Sequence, residues 1–152
     1  MLILFTISIF LSACSSLSIK DITRDRITEL AGTEPTLINW YQSERGFGDD
    51  AFDIYEIRFE ESDKSLLFSV DKSSESEVSS FYSAFESELL ILEENTASDD
   101  IGILEEMNTL FSELNKSEDL VYSIYKDSQK GLEELILYSD NMDYGLYMRL
   151  QI

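Results

Sequence analysis

Leu120-Val121-Tyr122-Ser123-Ile124-Tyr125-Lys126, Leu132-Glu133-Glu134-Leu135-Ile136-Leu137-Tyr138 and Tyr144-Gly145-Leu146-Tyr147-Met148-Arg149-Leu150-Gln151-Ile152 close the chain, and their reading decides the fold. Each run carries a period of two, which places successive side chains on opposite faces of a strand. Asp127 to Gly131 and Ser139 to Asp143 are the turns between them. Links that short join antiparallel neighbours, because a parallel pair needs a long crossover. The last fifth or so of the chain therefore reads as a three-strand antiparallel meander.

Upstream, Phe52 to Glu60 alternates in the same way. Tyr55, Ile57 and Phe59 point one way, and Glu56, Arg58 and Glu60 point the other, the pattern of a half-buried strand. Gly46-Phe47-Gly48-Asp49-Asp50 before it is a turn, since glycine permits positive φ and aspartate bonds back to its own turn. Leu37 to Tyr41 reads as a short first strand. Glu61 to Ser65 reads as a loop, and Leu66 to Val70 as the hairpin partner of Phe52 to Glu60.

Helical spacing appears in three places. Ile19, Ile22, Ile27 and Leu30 mark a first helix over Lys20 to Ala31, stopped by Gly32 and by the break at Pro35. Val78, Phe81, Tyr82, Phe85, Leu89 and Leu92 follow at steps of three and four, and so do Leu104, Met107, Leu110, Phe111 and Leu114. The second and third helices are expected to pack as a hairpin. Strands and helices that come in runs, without alternating, give an α+β fold. The expectation is an antiparallel sheet of about five strands, a hairpin and then the meander. An inserted helical hairpin and the N-terminal helix are expected to share one face of it.

The beginning of the chain has a different character. Met1 to Leu11 is mostly apolar, too short to cross a bilayer and of the length of a signal-peptide core. It runs into Leu11-Ser12-Ala13-Cys14, which holds the only cysteine. These residues resemble the lipobox of bacterial lipoproteins, an aliphatic residue and two small residues before cysteine. The resemblance implies that the Cys14 thiol takes a diacylglyceryl group and that cleavage before Cys14 makes it the new N-terminus. It also implies palmitate-type acylation and a place in the cell envelope. With Ser15 after the cysteine, it implies the outer membrane if the host is Gram-negative. The expected organisation is a signal peptide over 1–13, a lipidated tether over 14–19 and a single α+β domain over 20–152.

The body is similar, loosely, to small uncharacterised bacterial lipoproteins. Arg45-Gly46-Phe47-Gly48-Asp49-Asp50 running into Phe52 to Phe59 matches a turn that opens a strand in that group. Tyr122-Ser123-Ile124-Tyr125-Lys126-Asp127 and Gly145-Leu146-Tyr147 match its tyrosine-rich ending. Histidine often accompanies that turn in the group and is absent here. The likeness bears on the fold and the anchor, and brings no activity with it.

Composition narrows the chemistry. The net charge is −20, with 11 basic residues against 31 acidic ones. Such a field repels nucleic acid, whose binding rests on lysine and arginine neutralising phosphates. It also repels anionic head groups, so the membrane partner is reached through lipid on Cys14 alone. It attracts basic proteins. There is no histidine, which removes the commonest general base and metal ligand. The one cysteine is taken by the anchor, so neither a disulfide nor a thiolate zinc site is available. No phosphate loop or dinucleotide fingerprint is present.

Asp49, Asp50 and Asp53 cluster at one turn, and Asp140, Asn141 and Asp143 at another. Either could lend oxygens to calcium, but neither has the EF-hand spacing, and a polar turn is the plainer reading. No metal and no cofactor is expected. Trp40, Tyr41, Arg45 and Phe47 flank the glycine turn. Exposed, they would make an interaction patch of the residue types common at binding hot spots; packed, they would close the end of the core. The expected function is a non-enzymatic, membrane-anchored acidic protein that works by binding, with an immunity protein against a cationic toxin as its specific form. A carboxylate-based hydrolase of cell-wall glycans and a structural envelope component stand open beside it.

Overall fold

The computed structural model describes residues 18–43, 51–60 and 100–151, together with Ser79, Phe81, Ser83, Ser87 and Leu90. Helix α1 (Ile19–Ala31) begins one residue inside the expected tether. Ser18 caps it: its hydroxyl accepts from Asp21 N at 3.2 Å, and Asp21 Oδ2 accepts from Ser18 N at 3.1 Å. This reciprocal box satisfies donors that the first helical turn leaves open. Hydrogen bonds from Ser18 hold the Asp21 carboxyl below its ordinary value, and Arg24 adds to that. Gly32 ends the helix with φ of 77°, a left-handed conformation that suits glycine.

The chain then forms β1 (Pro35–Gln42), β2 (Ala51–Phe59), α2 (Asp100–Leu114), β3 (Val121–Asp127), β4 (Leu132–Ser139) and β5 (Tyr144–Gln151). The sheet has five strands in the order β1-β2-β5-β4-β3. Every neighbouring pair is antiparallel. The fold is α+β, with the meander where the sequence places it and the hairpin formed by β1 and β2. The meander joins the hairpin through β5, which lies between β2 and β4. At Gly145 the strands are so close that a Cβ would stand 2.2 Å from the Leu137 carbonyl oxygen. The edge strand β1 starts at Pro35 and carries a bulge at Ile38, between Leu37 and Asn39. Both features discourage further strand pairing along that edge.

Three expectations need correction. β2 pairs with β1 on one side and β5 on the other, so its hairpin partner is β1 and both its edges are taken. The proposed partner, Leu66 to Val70, lies outside the described residues. The helices do not share a face. α1 packs Ile27 and Ala31 against Tyr55, Ile57, Phe59, Ile136, Tyr138 and Tyr147. α2 packs Leu104, Met107, Phe111 and Leu114 against Phe52, Ile54, Leu135, Leu137, Leu146 and Met148 on the opposite face. Finally, β2 is buried on both sides rather than half-buried. A sheet covered twice leaves its central strands no solvent face.

Of the expected second helix, Ser79, Phe81, Ser83, Ser87 and Leu90 are helical, and Phe81 is buried in the core beneath α2. The other members of that stripe lie outside the described residues. Among the described residues, no helix is long and apolar enough to cross a membrane.

Candidate functional site

Cys14, Arg45 and Phe47 lie outside the described residues. Trp40 and Tyr41 are described, and consecutive strand positions send them to opposite faces. Tyr41 is 4% exposed in the core beneath α2. Trp40 packs on the α1 side, where the Lys20 ammonium sits 3.3 Å from its ring centroid. The two aromatic residues therefore do not form one exposed patch.

The turn aspartates also have local duties. Asp49 and Asp50 lie outside the described residues. Asp53 is buried at 2% exposure, with Arg149 Nη1 3.8 Å from its Oδ2. Asn141 N donates to Asp119 at 2.7 Å, and Asp143 takes a φ of 58°, which aspartate tolerates better than most residues. Among the described residues, no group of three or more acidic, histidine or cysteine side chains is arranged to hold a metal ion.

An ionic network joins α1 to the sheet. Glu134 on β4 takes two parallel contacts from Arg26: Nε to Oε1 at 3.1 Å and Nη2 to Oε2 at 2.5 Å. Tyr147 OH donates to the same carboxylate at 2.5 Å. Arg26 Nη1 reaches Glu29 at 2.6 Å, and its guanidinium lies 4.5 Å from the Tyr125 ring centroid. The hydrogen bond to Glu134 raises the Arg26 pKa further, against the opposing effect of burial. Burial first, and then the Glu134 charge, push the Tyr147 hydroxyl far above its ordinary value. Nearby, Thr23 and Gln42 both donate to Tyr55 OH, at 3.2 Å and 2.6 Å. This cluster is internally satisfied, so its chemistry is spent on holding α1.

A second polar knot ties α2's exit to the β4–β5 turn. Asp119 Oδ1 accepts from Ser117 Oγ and, at 2.7 Å, from Ser139 Oγ. Desolvation pushes the Asp119 carboxyl up, but these bonds and the one from Asn141 N outweigh it and bring it down to about 2.

The remaining constellation lies on the α2 side. Glu56 on β2 stands on the face that carries Phe52 and Ile54, opposite Asn39 on β1 and Leu146 on β5. It is 8% exposed. No hydrogen bond or ion pair from the described residues reaches it. Burial pushes its pKa up, Arg58 offsets part of that, and Glu106 adds to it. Glu106 projects from α2 and is exposed; its Oε2 lies 3.4 Å from Asn39 Nδ2. One stripe further along α2, Glu113 accepts from Tyr144 OH at 3.1 Å. Burial, that bond and the charges of Glu113 and Glu56 push the Tyr144 hydroxyl up to about 12. Leu110 and Ile103 pack beside these groups at the rim of the core. Glu56, a residue with little exposed surface, thus lies on the side of the sheet that α2 and its exposed carboxylates cover.

The alternation of β2 hid this residue, because an acid opposite Tyr55 and Ile57 reads as solvent-facing. The signal that would have found it is Phe52 and Ile54, which share its face and announce that something covers them. For Glu134, the signal is the unbroken apolar run Leu135 to Tyr138, which marks a strand buried on both sides. On the α1 side of the sheet, between the end of α1 and β1, lies a depression of about 430 Å³ lined by Arg24, Glu34, Pro35, Thr36, Leu37 and Glu60. It gathers no comparable set of acids. No family model, no curated protein and no solved structure matches the chain.

Proposed function

We propose that this protein is a lipid-anchored acidic protein of the cell envelope that acts by binding a basic protein, without catalysis of its own. The observation that carries the reading is the composition of α2, the helix that covers one face of the sheet. It holds Asp100, Glu105, Glu106 and Glu113 and no lysine or arginine. Glu105, Glu106 and Glu113 are exposed. In a chain of net charge −20, this face concentrates a negative field that would steer cationic partners toward it. An immunity protein against a cationic toxin is the specific form that fits.

The anchor belongs to the same proposal. Only Ser15, Ser16 and Leu17 separate Cys14 from the cap at Ser18. An extended chain of that length spans about 14 Å. Lipid on Cys14 would therefore hold the start of α1 at the bilayer, where the exposed Ile19 and Ile22 would meet it. The test is a pull-down from envelope extract with the full chain carrying Cys14→Ser, at low and high salt. A basic protein captured at low salt and released at high salt supports the binding reading, and capture of none refutes it. Membrane association that persists in the Cys14→Ser chain refutes the anchor.

A second reading keeps one observation in its favour. Glu56, with its pKa raised by burial and Glu106 beside it, is the kind of carboxylate pair that glycan hydrolases use. Release of soluble fragments from cell-wall glycan by the protein, abolished in both Glu56→Gln and Glu106→Gln, would favour hydrolysis over binding.

A further inference from the structure

We infer that the first turn of α1 is a second membrane contact: Ile19 and Ile22 seat in the surface of the bilayer that holds the Cys14 lipid, and α1 meets the membrane with its start, leaving the α2 face clear of it. The placement rests on the anchor proposed above. Ile19 is 58% exposed and Ile22 55%. They stand three positions apart, so they are neighbours on the helix surface. α1 docks on the sheet further along, through Ile27 and Ala31, and does not bury this pair. One exposed apolar residue needs no explanation. Two side by side, at the point where the chain arrives from its anchor, have a surface to meet.

The length of the link says which surface. Three residues separate Cys14 from Ser18, a reach of about 14 Å at full extension. Two isoleucines would not hold a free protein to a bilayer. Tethered so closely, they bind in an intramolecular step, with an effective concentration set by the short link. Charge agrees. Ile19 to Arg24 carries Lys20 and Arg24 against Asp21 alone, and Asp21 is engaged by Ser18 and Arg24. In a chain of net charge −20, this stretch is one that anionic head groups do not repel. Asp25 and Glu29 are exposed further along α1, and a helix lying flat would press them onto those head groups. The contact therefore ends with the first turn. α2 covers the opposite face of the sheet, where its exposed acids stay open to a partner.

The test uses the full chain, processed and lipidated in cells and reconstituted in vesicles of phosphatidylethanolamine and phosphatidylglycerol. With the Cys14 thiol taken by lipid, a thiol-reactive fluorescent dye reads one introduced position at a time: Ile22→Cys, Glu34→Cys or Glu105→Cys. Glu34 lies beyond the far end of α1, a helix of 13 residues and so about 20 Å long. The dye at Ile22 is expected to emit at shorter wavelength and to lose intensity when the vesicles carry nitroxide acyl chains. The dyes at Glu34 and Glu105 should emit as in water. Equal quenching at Glu34 would mean that α1 lies flat, and equal quenching at Glu105 that the α2 face is down; either overturns the placement. So does a shifted but unquenched dye at Ile22, which would mean that protein covers the pair. Quenching of Trp40, beside Lys20, needs no dye and should fall when Ile19→Asn and Ile22→Asn are combined. Both side chains are more than half exposed, so the fold is not at risk; unchanged quenching would overturn the contact. A chain that floats with the vesicles while Ile22 stays in water ends the contact and leaves the anchor standing. A chain whose Cys14 is still free to take the dye refutes the anchor, and the placement falls with it.

Discussion

α1 carries Lys20, Arg24 and Arg26 against Asp21, Asp25 and Glu29, so its charges cancel, whereas α2 carries four acids and no base. The two helices also hold to the sheet differently. α1 buries few apolar side chains, Ile27 and Ala31 above all, and adds the Arg26–Glu134–Tyr147 network. α2 buries a continuous apolar stripe of Leu104, Met107, Phe111 and Leu114, and among the described residues its acids reach the sheet through Glu106 at Asn39 and Glu113 at Tyr144. Where polar groups are internally satisfied, they serve the fold. Where acids are gathered and unbalanced on the surface, as on α2, they make the face for which we propose a binding role. That contrast is why the α2 face, and not the more elaborate α1 network, is read as the binding surface.

The largest effect is expected on the α1 side. Glu134→Ala leaves the Arg26 guanidinium without its buried partner and the Tyr147 hydroxyl without its acceptor. Removing one member of such a pair costs about 3–5 kcal/mol. The midpoint of urea unfolding should fall accordingly. The double variant Arg26→Met with Glu134→Met should recover most of the loss, since an apolar pair of similar volume is often as stable as the ions it replaces. If Glu134→Ala is nearly silent, α1 is held by Ile27 and Ala31 alone.

Next in size is the acid response of Asp119. Its carboxyl is held down to about 2 by the hydrogen bonds of the folded state. An unfolded aspartate titrates near 4. The folded state therefore binds the proton less tightly than the unfolded one. The stability it contributes, about 1 kcal/mol or less once solvent screening of this partly exposed group is allowed for, is complete above pH ~4 and is lost as pH falls toward ~2. Asp119→Asn should flatten that limb of the stability–pH curve.

The positions of α1, α2 and the five strands of the sheet, and the strand pairing of the meander, were legible because period two, period 3.6 and short links are local signals. The C-cap at Gly32 was legible for the same reason. What the sequence concealed are consequences of layering. Glu56 and Glu134 look like solvent positions until helices are known to cover both faces. Tyr41 looks like half of an aromatic patch until its strand position turns it into the core beneath α2. The assignment of Leu66 to Val70 as a hairpin partner failed because neither edge of β2 is free, which only the return of β5 to the centre of the sheet reveals.

A smaller effect of opposite sign belongs to Glu56. Its pKa is raised by burial, with Arg58 lowering it and Glu106 raising it. The folded state therefore holds the proton more tightly than the unfolded one. Its contribution to stability is greatest below the ordinary glutamate value near ~4.3 and is lost as pH rises through the raised folded value. Glu56→Gln removes this loss, so the variant should gain stability over wild type at neutral pH and little at pH ~4. A gain here, beside a large loss for Glu134→Ala, would separate an acid that costs the fold stability from one that supports it. A loss at neutral pH would show that Glu56 is satisfied within the folded chain.

The smallest effect tests whether the α1 contrast extends to the helix's first turn. Trp40 is the only tryptophan in the chain, so its emission reports on the α1 face and on nothing else. The Lys20 ammonium lies over its ring, an exposed cation–π contact worth about 0.5–1 kcal/mol. Lys20→Ala should change the Trp40 emission while moving the urea midpoint only slightly. Glu113→Gln, on the opposite face, should leave that emission as it is. If Lys20→Ala instead lowers the midpoint as far as Glu134→Ala does, α1 is clamped at its start rather than at Arg26. The network around Glu134 would then be a consequence of helix docking and not its cause.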